Sequence, residues 1–455
     1  MAGSYYSDVV WTDKTNAYTD NQRFYKNWTS SGNDVEAPKF TLYGDCNWTS
    51  TNDTITTTTF TMYVGPAEGE GVFDITGLTL TATKATMAKS GTIKGSTINV
   101  SDTLSLGPQQ SYNPFYSLVS VSNSEINAGE LSILGPENNV VLTDTKTTLN
   151  MSGYDSSALQ KGASLTVVGG SFTANLIDEA CKFHVNASTL TFQNTNVDMA
   201  GAIISTNNNG DRNTEINFDN TTFSGIIDLY SYDSQEYRSV VNIKNKSVVN
   251  VRAFNEDASD PVRGGIINVD GATLNLAAGM IQDEGSASTV YTTKMNLSNG
   301  ATATIGGTLD IAETTVSDAT LDAEAIFVDS GNIFSTTGNA VIDAAMLSVT
   351  EGANISIADT TTLNLSGLEV VLTSSSLQTG TEFNLNDIFG EETNLVLESV
   401  GDNLTMSDLL GNSFEATISE GGILVAGAAI PEPSTYALLF GVAGLGLAAC
   451  RRKRL

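Results

Sequence analysis

The chain has 455 residues, of which 40% are hydrophobic and only 16% charged, with Thr, Ser, Asn and Gly making up the difference. That apolar share excludes a disordered polyelectrolyte. Its 51 acidic against 21 basic residues give a net charge of −30, a field that repels phosphate backbones and excludes nucleic acid as a partner.

In chain order, residues 1–60 hold Trp11, Trp28 and Trp48, with the phrase Asn-Trp-Thr-Ser repeated at Asn27 and Asn47. This segment differs in composition from the rest of the body and is expected to be an N-terminal cap over the first rung of a repeat array, whose open edge would otherwise template aggregation.

Residues 61–375 repeat. The phrase is apolar, any, apolar, any, Gly or Asn, two further residues, apolar. It reads Leu165-Thr166-Val167-Val168-Gly169-Gly170-Ser171-Phe172 and returns at Leu190, Ile216, Val241 (with one residue inserted before Val249) and Ile267, with looser copies at Met295 and Leu347. Weaker versions lie upstream, at Leu78 and Ile98. The starts advance by 25, 26, 25, 26 and 28 residues, then by 52, two periods of 26. Each copy holds a short alternating strand, a turn and the start of another strand, and one copy cannot bury its own apolar face. The expected fold is all-β: a right-handed parallel β-helix of three strands and three turns per rung, roughly twelve rungs about 4.8 Å apart. A β-sandwich array is the alternative. The body loosely resembles autotransporter passenger domains.

In-register stacking points the middle residue of each first strand outward. Thr166, Thr191, Asn217, Asn242, Asn268, Asn296 and, later, Ser348 then form a polar ladder, with Asn217, Asn242, Asn268 and Asn296 as its amide core. Amide ladders satisfy themselves between stacked strands. The functional reading of the same file is a shallow stripe for extracellular polysaccharide.

Catalysis on such a scaffold needs clustered carboxylates, or an acid with Lys or Arg, on neighbouring rungs. The single histidine, His184, reads as structural. Asp211-Arg212 and Asp260-Pro261-Val262-Arg263 each join an acid to a base and read as surface ion pairs. No nucleophile elbow, phosphate loop or zinc motif occurs, so no catalytic residue, metal site or cofactor is assigned. The acidic turn from Glu256 to Asp260 offers at most weak Ca²⁺ binding. Cys46 and Cys181 are the one pair the body could form, and nothing in the sequence brings them together. The expectation is a non-enzymatic protein; the alternative is a polysaccharide-active β-helix lyase or hydrolase.

Residues 376–428 read as further strands forming a C-terminal β cap, with a hairpin around Gly421-Gly422. Residues 430–455 then break the pattern. Pro431-Glu432-Pro433 cannot sit inside a helix or sheet. An uncharged stretch follows from Tyr436 to Cys450, and Arg451-Arg452-Lys453-Arg454-Leu455 closes the chain. The stretch is expected to be a single transmembrane helix. It would span about 22 Å against a hydrocarbon core of roughly 30 Å, with snorkelling arginines closing the gap. The basic cluster predicts a cytoplasmic C-terminus, with the body on the other side.

The order Pro-Glu-Pro, apolar helix, arginine cluster resembles the PEP-CTERM sorting signal of bacterial exported proteins. The resemblance implies recognition of Pro431, Glu432 and Pro433 by a membrane-embedded exosortase, with Arg451, Arg452, Lys453 and Arg454 as the stop signal. It places the body at the cell envelope, the surface or outside, as a structural or adhesive protein such as an adhesin or matrix component. Export calls for a leader, and Met1-Ala2-Gly3-Ser4-Tyr5-Tyr6-Ser7-Asp8 has neither a basic region nor an apolar run, so a leader upstream of Met1 is expected.

Overall fold

The computed structural model describes residues 3–430 except 44–45, 63–70, 108–116, 136–137, 153–156, 177–180, 208–211, 232–236, 256–259, 284–290, 374–376 and 420. It is nearly all β, with long parallel sheets. The chain divides into two compact units, residues 1–306 and 307–455.

In the first unit each coil lays a straight strand in one sheet, turns a corner and lays a longer strand in a second sheet. First-sheet strands run from Val9–Thr12 to Thr293–Ser298, each parallel to the one before. The second-sheet strand bends midway. It is continuous in Thr97–Leu106 and Glu125–Leu134, and split into Lys146–Met151 and Ser157–Gln160 one coil later. Each coil therefore has three straight segments, as the repeat predicts, and the pairing is that of a solenoid.

Alternation decides what lies inside. Leu165, Leu190, Ile216, Val241, Ile267 and Met295 form one buried file, and Val167, Phe192, Phe218, Ile243, Val269 and Leu297 another. Like residues stack in register, as in Phe192 on Phe218 with centroids 5.8 Å apart. Burial of such side chains contributes about 1.5–3 kcal/mol each.

The corner after each first-sheet strand opens with a left-handed residue, followed by a second at Gly169-Gly170, Asn245-Lys246 and Asn299-Gly300. Asn52, Asn123, Asp144, Asn194 and Asn220 have φ between 47° and 52°, and Gly77, Gly95 and Gly271 take the same place. Asn and Asp tolerate this region better than other side chains, and Gly enters it freely. A buried hydroxyl follows at several corners. Thr195 Oγ1 donates to the Val167 carbonyl (3.1 Å) and Thr221 Oγ1 to that of Phe192 (3.0 Å), both in the preceding coil. These bonds satisfy a buried polar group at a point where the strand ladder is interrupted.

The coil is not of fixed length. Hydrogen-bonded positions in adjacent coils are 18 residues apart at Thr92 and Asp74, 20 at Asn47 and Asn27, 25 at Asn242 and Asn217, and 28 at Asn296 and Asn268. A sustained period of 25–26 residues thus belongs to the central coils, because loops of varying length join strands of constant register.

Residues 1–60, expected as an atypical cap, instead form coils. Val9–Thr12, Trp28–Ser31 and Trp48–Thr51 pair in parallel, with Trp28 opposite Trp48. The two indoles stack at 5.1 Å and 5°, Phe24 stacks on Trp28 at 4.4 Å, and Trp48 meets Phe60 at 5.2 Å. The repeated Asn ties successive coils together. Asn47 N–H donates to Asn27 Oδ1 (3.0 Å), and Val72 N–H to Asn47 Oδ1 (2.9 Å). Beneath the corner, Asp53 is buried and accepts from Ser30 and Ser50 hydroxyls and from the Asn33 backbone and side-chain amides.

The second unit begins with coils of the same kind. Glu313–Ser317, Ile333–Thr337 and Asn354–Ser356 pair in parallel, as do Thr320–Val328 and Val341–Thr350. The pattern then changes. Leu404–Asp408, Ser413–Ser419 and Ile423–Ile430 run antiparallel, and the last two flank Gly421-Gly422. Two short helices, Asn386–Phe389 and Thr393–Val400, interrupt a segment expected to be strands only. Thr393, Val396 and Val400 are the buried residues of the second helix. Ser399 Oγ, on the same helix, accepts from the Leu365 amide and donates to the Leu363 carbonyl, so it closes backbone groups at the end of strand Thr362–Leu365. Among the described residues no helix is long and apolar enough to cross a membrane. The expected transmembrane helix, Tyr436 to Cys450, lies outside the described residues.

Candidate functional site

The outward file of the first sheet stacks as the repeat predicts. Thr166 pairs with Thr191, Thr191 with Asn217, and the register continues through Asn242 and Asn268 to Asn296. Asn242 Nδ2 donates to Asn217 Oδ1 (2.8 Å), Asn268 to Asn242 (2.8 Å) and Asn296 to Asn268 (2.9 Å), while Asn217 reaches the Thr191 hydroxyl at 3.4 Å. The ladder is half-buried. Each amide carries two N–H donors and uses one in this stack.

Ser348 does not continue this file. Its strand, Val341–Thr350, belongs to the second sheet, where Ser348 lies between Phe327 and Glu369 and donates to the Glu369 carboxylate (3.0 Å). First-sheet positions of the second unit are instead Thr315 and Ser335, joined hydroxyl to hydroxyl at 3.2 Å. Alternation is identical in both sheets, so the phrase alone cannot tell them apart.

Amides also stack in pairs on the second sheet of the first unit, and the repeat phrase missed them. Asn127 Nδ2 donates to Asn99 Oδ1 (2.9 Å), Asn175 to Asn150 (3.0 Å) and Asn275 to Asn250 (2.8 Å). The signal for Asn99, Asn127, Asn250 and Asn275 is the third residue of the strand after the corner, as in Thr97-Ile98-Asn99-Val100 and Thr273-Leu274-Asn275-Leu276, while Asn150 and Asn175 lie two residues further along their strands. Where this sheet bends, two open grooves form. One of about 480 Å³ is lined by Thr81, Thr83, Asn99, Ser101, Asn127 and Asn150, among others. The other, about 450 Å³, includes Ser224, Asn250, Arg252, Asn275 and Thr304.

A β-bulge shapes the first groove. The register of Thr97–Leu106 against both neighbours shifts after Val100. The next strand approaches this bulge through Gly129, where an added Cβ would sit 2.8 Å from the Ser101 carbonyl and 2.7 Å from that of Asp102. Only glycine allows so close a backbone approach. At the bulge Lys84 pairs with Asp102 at 3.1 Å. The Thr103 hydroxyl lies within reach of Asp102 (2.7 Å) and Glu130 (3.1 Å). Hydrogen bonding to Thr103 and the Lys84 ammonium holds Asp102 below the usual carboxylate range, while burial pushes Glu130 up.

The remaining candidates scatter. His184 is half-buried on the strand Lys182–Asn186, opposite Ala158 and Ser205. Arg263 pairs with Asp228 at 3.2 Å, touches Asn255 Oδ1 at 3.3 Å and lies over the Tyr230 ring. Asp228, which also accepts from the Ser205 hydroxyl, is buried, so the partner of the partly exposed Arg263 is a buried carboxylate rather than the Asp260 expected in a surface pair. Arg212 is exposed; Asp211 and the turn residues 256–259 lie outside the described residues. Cys46 and Cys181 are buried thiols, with Cys46 Sγ on the Tyr43 carbonyl (2.7 Å) and Cys181 Sγ on that of Met151 (3.3 Å). Among the described residues no three His, Cys, Asp or Glu side chains are grouped to hold a metal ion.

Pro431, Glu432, Pro433 and the Arg451–Arg454 cluster lie outside the described residues, and sequence comparison identifies this region. No curated protein and no solved structure matches the chain. Residues 429–453 match the family model of the PEP-CTERM protein-sorting motif, the mark of an exported protein sorted by exosortase to the cell envelope or surface.

Proposed function

We propose that this chain is a structural or adhesive protein of the bacterial surface or extracellular matrix. In this reading exosortase recognises Pro431, Glu432 and Pro433, Tyr436–Cys450 forms the membrane helix, and Arg451–Arg454 stay in the cytoplasm until processing. Its coils are right-handed, as parallel crossovers are. One observation carries the reading. The sorting motif at 429–453 follows a body whose first sheet bears a file of asparagines bonded amide to amide from coil to coil. Such a surface is suited to persistence and contact rather than turnover.

The test is in cells. Replacing Pro431, Glu432 and Pro433 together by Ala should leave the protein in the membrane fraction at its unprocessed mass, and deleting the exosortase should do the same. Unchanged surface labelling in both strains would overturn the reading.

A second reading, a glycan depolymerase, draws support from the Asp228–Arg263 pair beside Tyr230, whose carboxylate is buried and whose arginine is partly exposed. New reducing ends or unsaturated sugars released from polysaccharide, and lost on Asp228→Asn, would favour it.

A further inference from the structure

We propose that the groove lined by Thr81, Asn99, Ser101, Asn127 and Asn150 binds a neutral, extended polysaccharide chain laid along the axis of the coils. The proposal rests on the reading of the chain as an exported surface protein and adds to it a site and a ligand class.

Four observations converge on this groove. First, its polar lining is hydroxyl and amide alone: Thr57, Thr81, Thr83, Asn99, Ser101, Asn127, Asn150 and Ser152 surround a floor of Ala82, Val100, Ala128 and Gly129, with no charged side chain. Second, its donors are only partly used. Asn127 donates to Asn99 and also hydrogen-bonds the Glu125 carboxylate, and Asn150 accepts from Asn175, which leaves the N–H donors of Asn99 and Asn150 and spare lone pairs on the carbonyl oxygens for a ligand. Third, Thr81, Asn99 and Asn127 stand in register on three successive coils, at about 4.8 Å per coil, close to the advance per sugar of an extended β-linked hexose chain. Fourth, the bulge after Val100, and the close approach of Gly129 to it, place the groove at an irregularity of the sheet, and bulges recur at binding sites.

Charge and hydrogen bonding choose among ligands. A chain of net charge −30, with Glu130 and the Lys84-paired Asp102 beside the groove, repels an anionic polymer. A peptide strand would require a free sheet edge, yet here the backbone of Thr97–Leu106 is paired on both sides. What remains on offer is side-chain amide and hydroxyl, the partners of sugar hydroxyls.

The experiment is native affinity electrophoresis of the full chain in gels containing hydroxyethylcellulose or galactomannan, with alginate as the anionic comparison. We expect retardation by at least one neutral polymer, insensitive to NaCl, and none by alginate. Asn99→Ala with Asn127→Ala should weaken binding about tenfold, as loss of one or two hydrogen bonds does. Ser101→Trp, at an exposed position that leaves the ladder intact, should abolish it by filling the groove. Asn242→Ala with Asn268→Ala, on the first sheet, should leave it unchanged. Circular dichroism of each variant reports folding, and Ser101→Trp keeps the test decisive if the amide variant unfolds. No retardation by either neutral polymer, retardation by alginate alone, or retardation that Ser101→Trp leaves intact would each overturn the proposal. So would loss of binding in the first-sheet variant alone, which would move the site to the flat face. The cellular labelling above is read separately. A surface-located protein that binds no neutral glycan loses this inference and keeps its proposed function; a protein absent from the surface loses both.

Discussion

The first coils and the central coils of residues 1–306 solve the same stacking problem by different means. Near the N-terminus the steps are short, 20 residues between Asn27 and Asn47. Stability there is concentrated in a few large groups: Trp28 on Trp48, Phe24 on Trp28, and the buried Asp53 with its four hydrogen bonds. In the centre the steps lengthen to 25–28 residues and the outward file becomes asparagine. Stability is spread over many equivalent contacts, each worth about 1 kcal/mol or less. A concentrated design fails at one residue, and a distributed one only when several links are lost.

That contrast can be broken first at its strongest point. Trp48→Ala should cost about 3–5 kcal/mol, the usual range for emptying a large aromatic site, read as a lower urea midpoint. If the loss is under about 1 kcal/mol, the aromatic stack does not anchor the first coils. A smaller effect is expected from Asn242→Asp with Asn268→Asp, about 1–2 kcal/mol at neutral pH, because two stacked carboxylates repel and each loses the N–H it donated. Repulsion raises both folded carboxyl pKa values above their unfolded ones. The deficit is therefore fully present well above the folded values and shrinks as pH falls toward the unfolded ones. A deficit independent of pH would contradict in-register stacking. The smallest effect distinguishes corner from ladder. Asn220, at φ 50°, also donates to Asn194 Oδ1 at 2.7 Å. Asn220→Ala should cost about 1 kcal/mol through the left-handed backbone, and Asn220→Gly only a few tenths. Equal losses in thermal unfolding would assign the cost to the side-chain bond.

Much of the central solenoid was legible because two signals coincide there: apolar alternation along each strand and a near-constant spacing between copies. The Asn217, Asn242, Asn268 and Asn296 stack followed from that coincidence. The first coils hid because their shorter step and indole side chains look like a different domain, although Asn27 and Asn47 already mark the same face one coil apart. Ser348 was placed on the wrong sheet because a period of two carries no record of which sheet a strand joins. The groove at Asn99 and Asn127 was invisible for another reason. It arises from a register shift between neighbours, a property of paired strands that no single strand contains. The helix Thr393–Val400 was missed where a short apolar run, Leu395-Val396-Leu397, fits a strand equally well.

The strand that leads into the sorting motif has a mechanical side. Residues 423–426 are held on both edges, by Glu382–Asn384 with the Gly380 and Thr381 backbone on one and by Ser413–Ser419 on the other, whereas among the described residues 427–430 face only the strand Ser413–Ser419. Tension entering from the C-terminal side meets the singly held stretch first and the doubly held one last. Peeling at Ile430 leaves the inner clamp intact, so this strand yields to load in two stages, like a latch behind a tether.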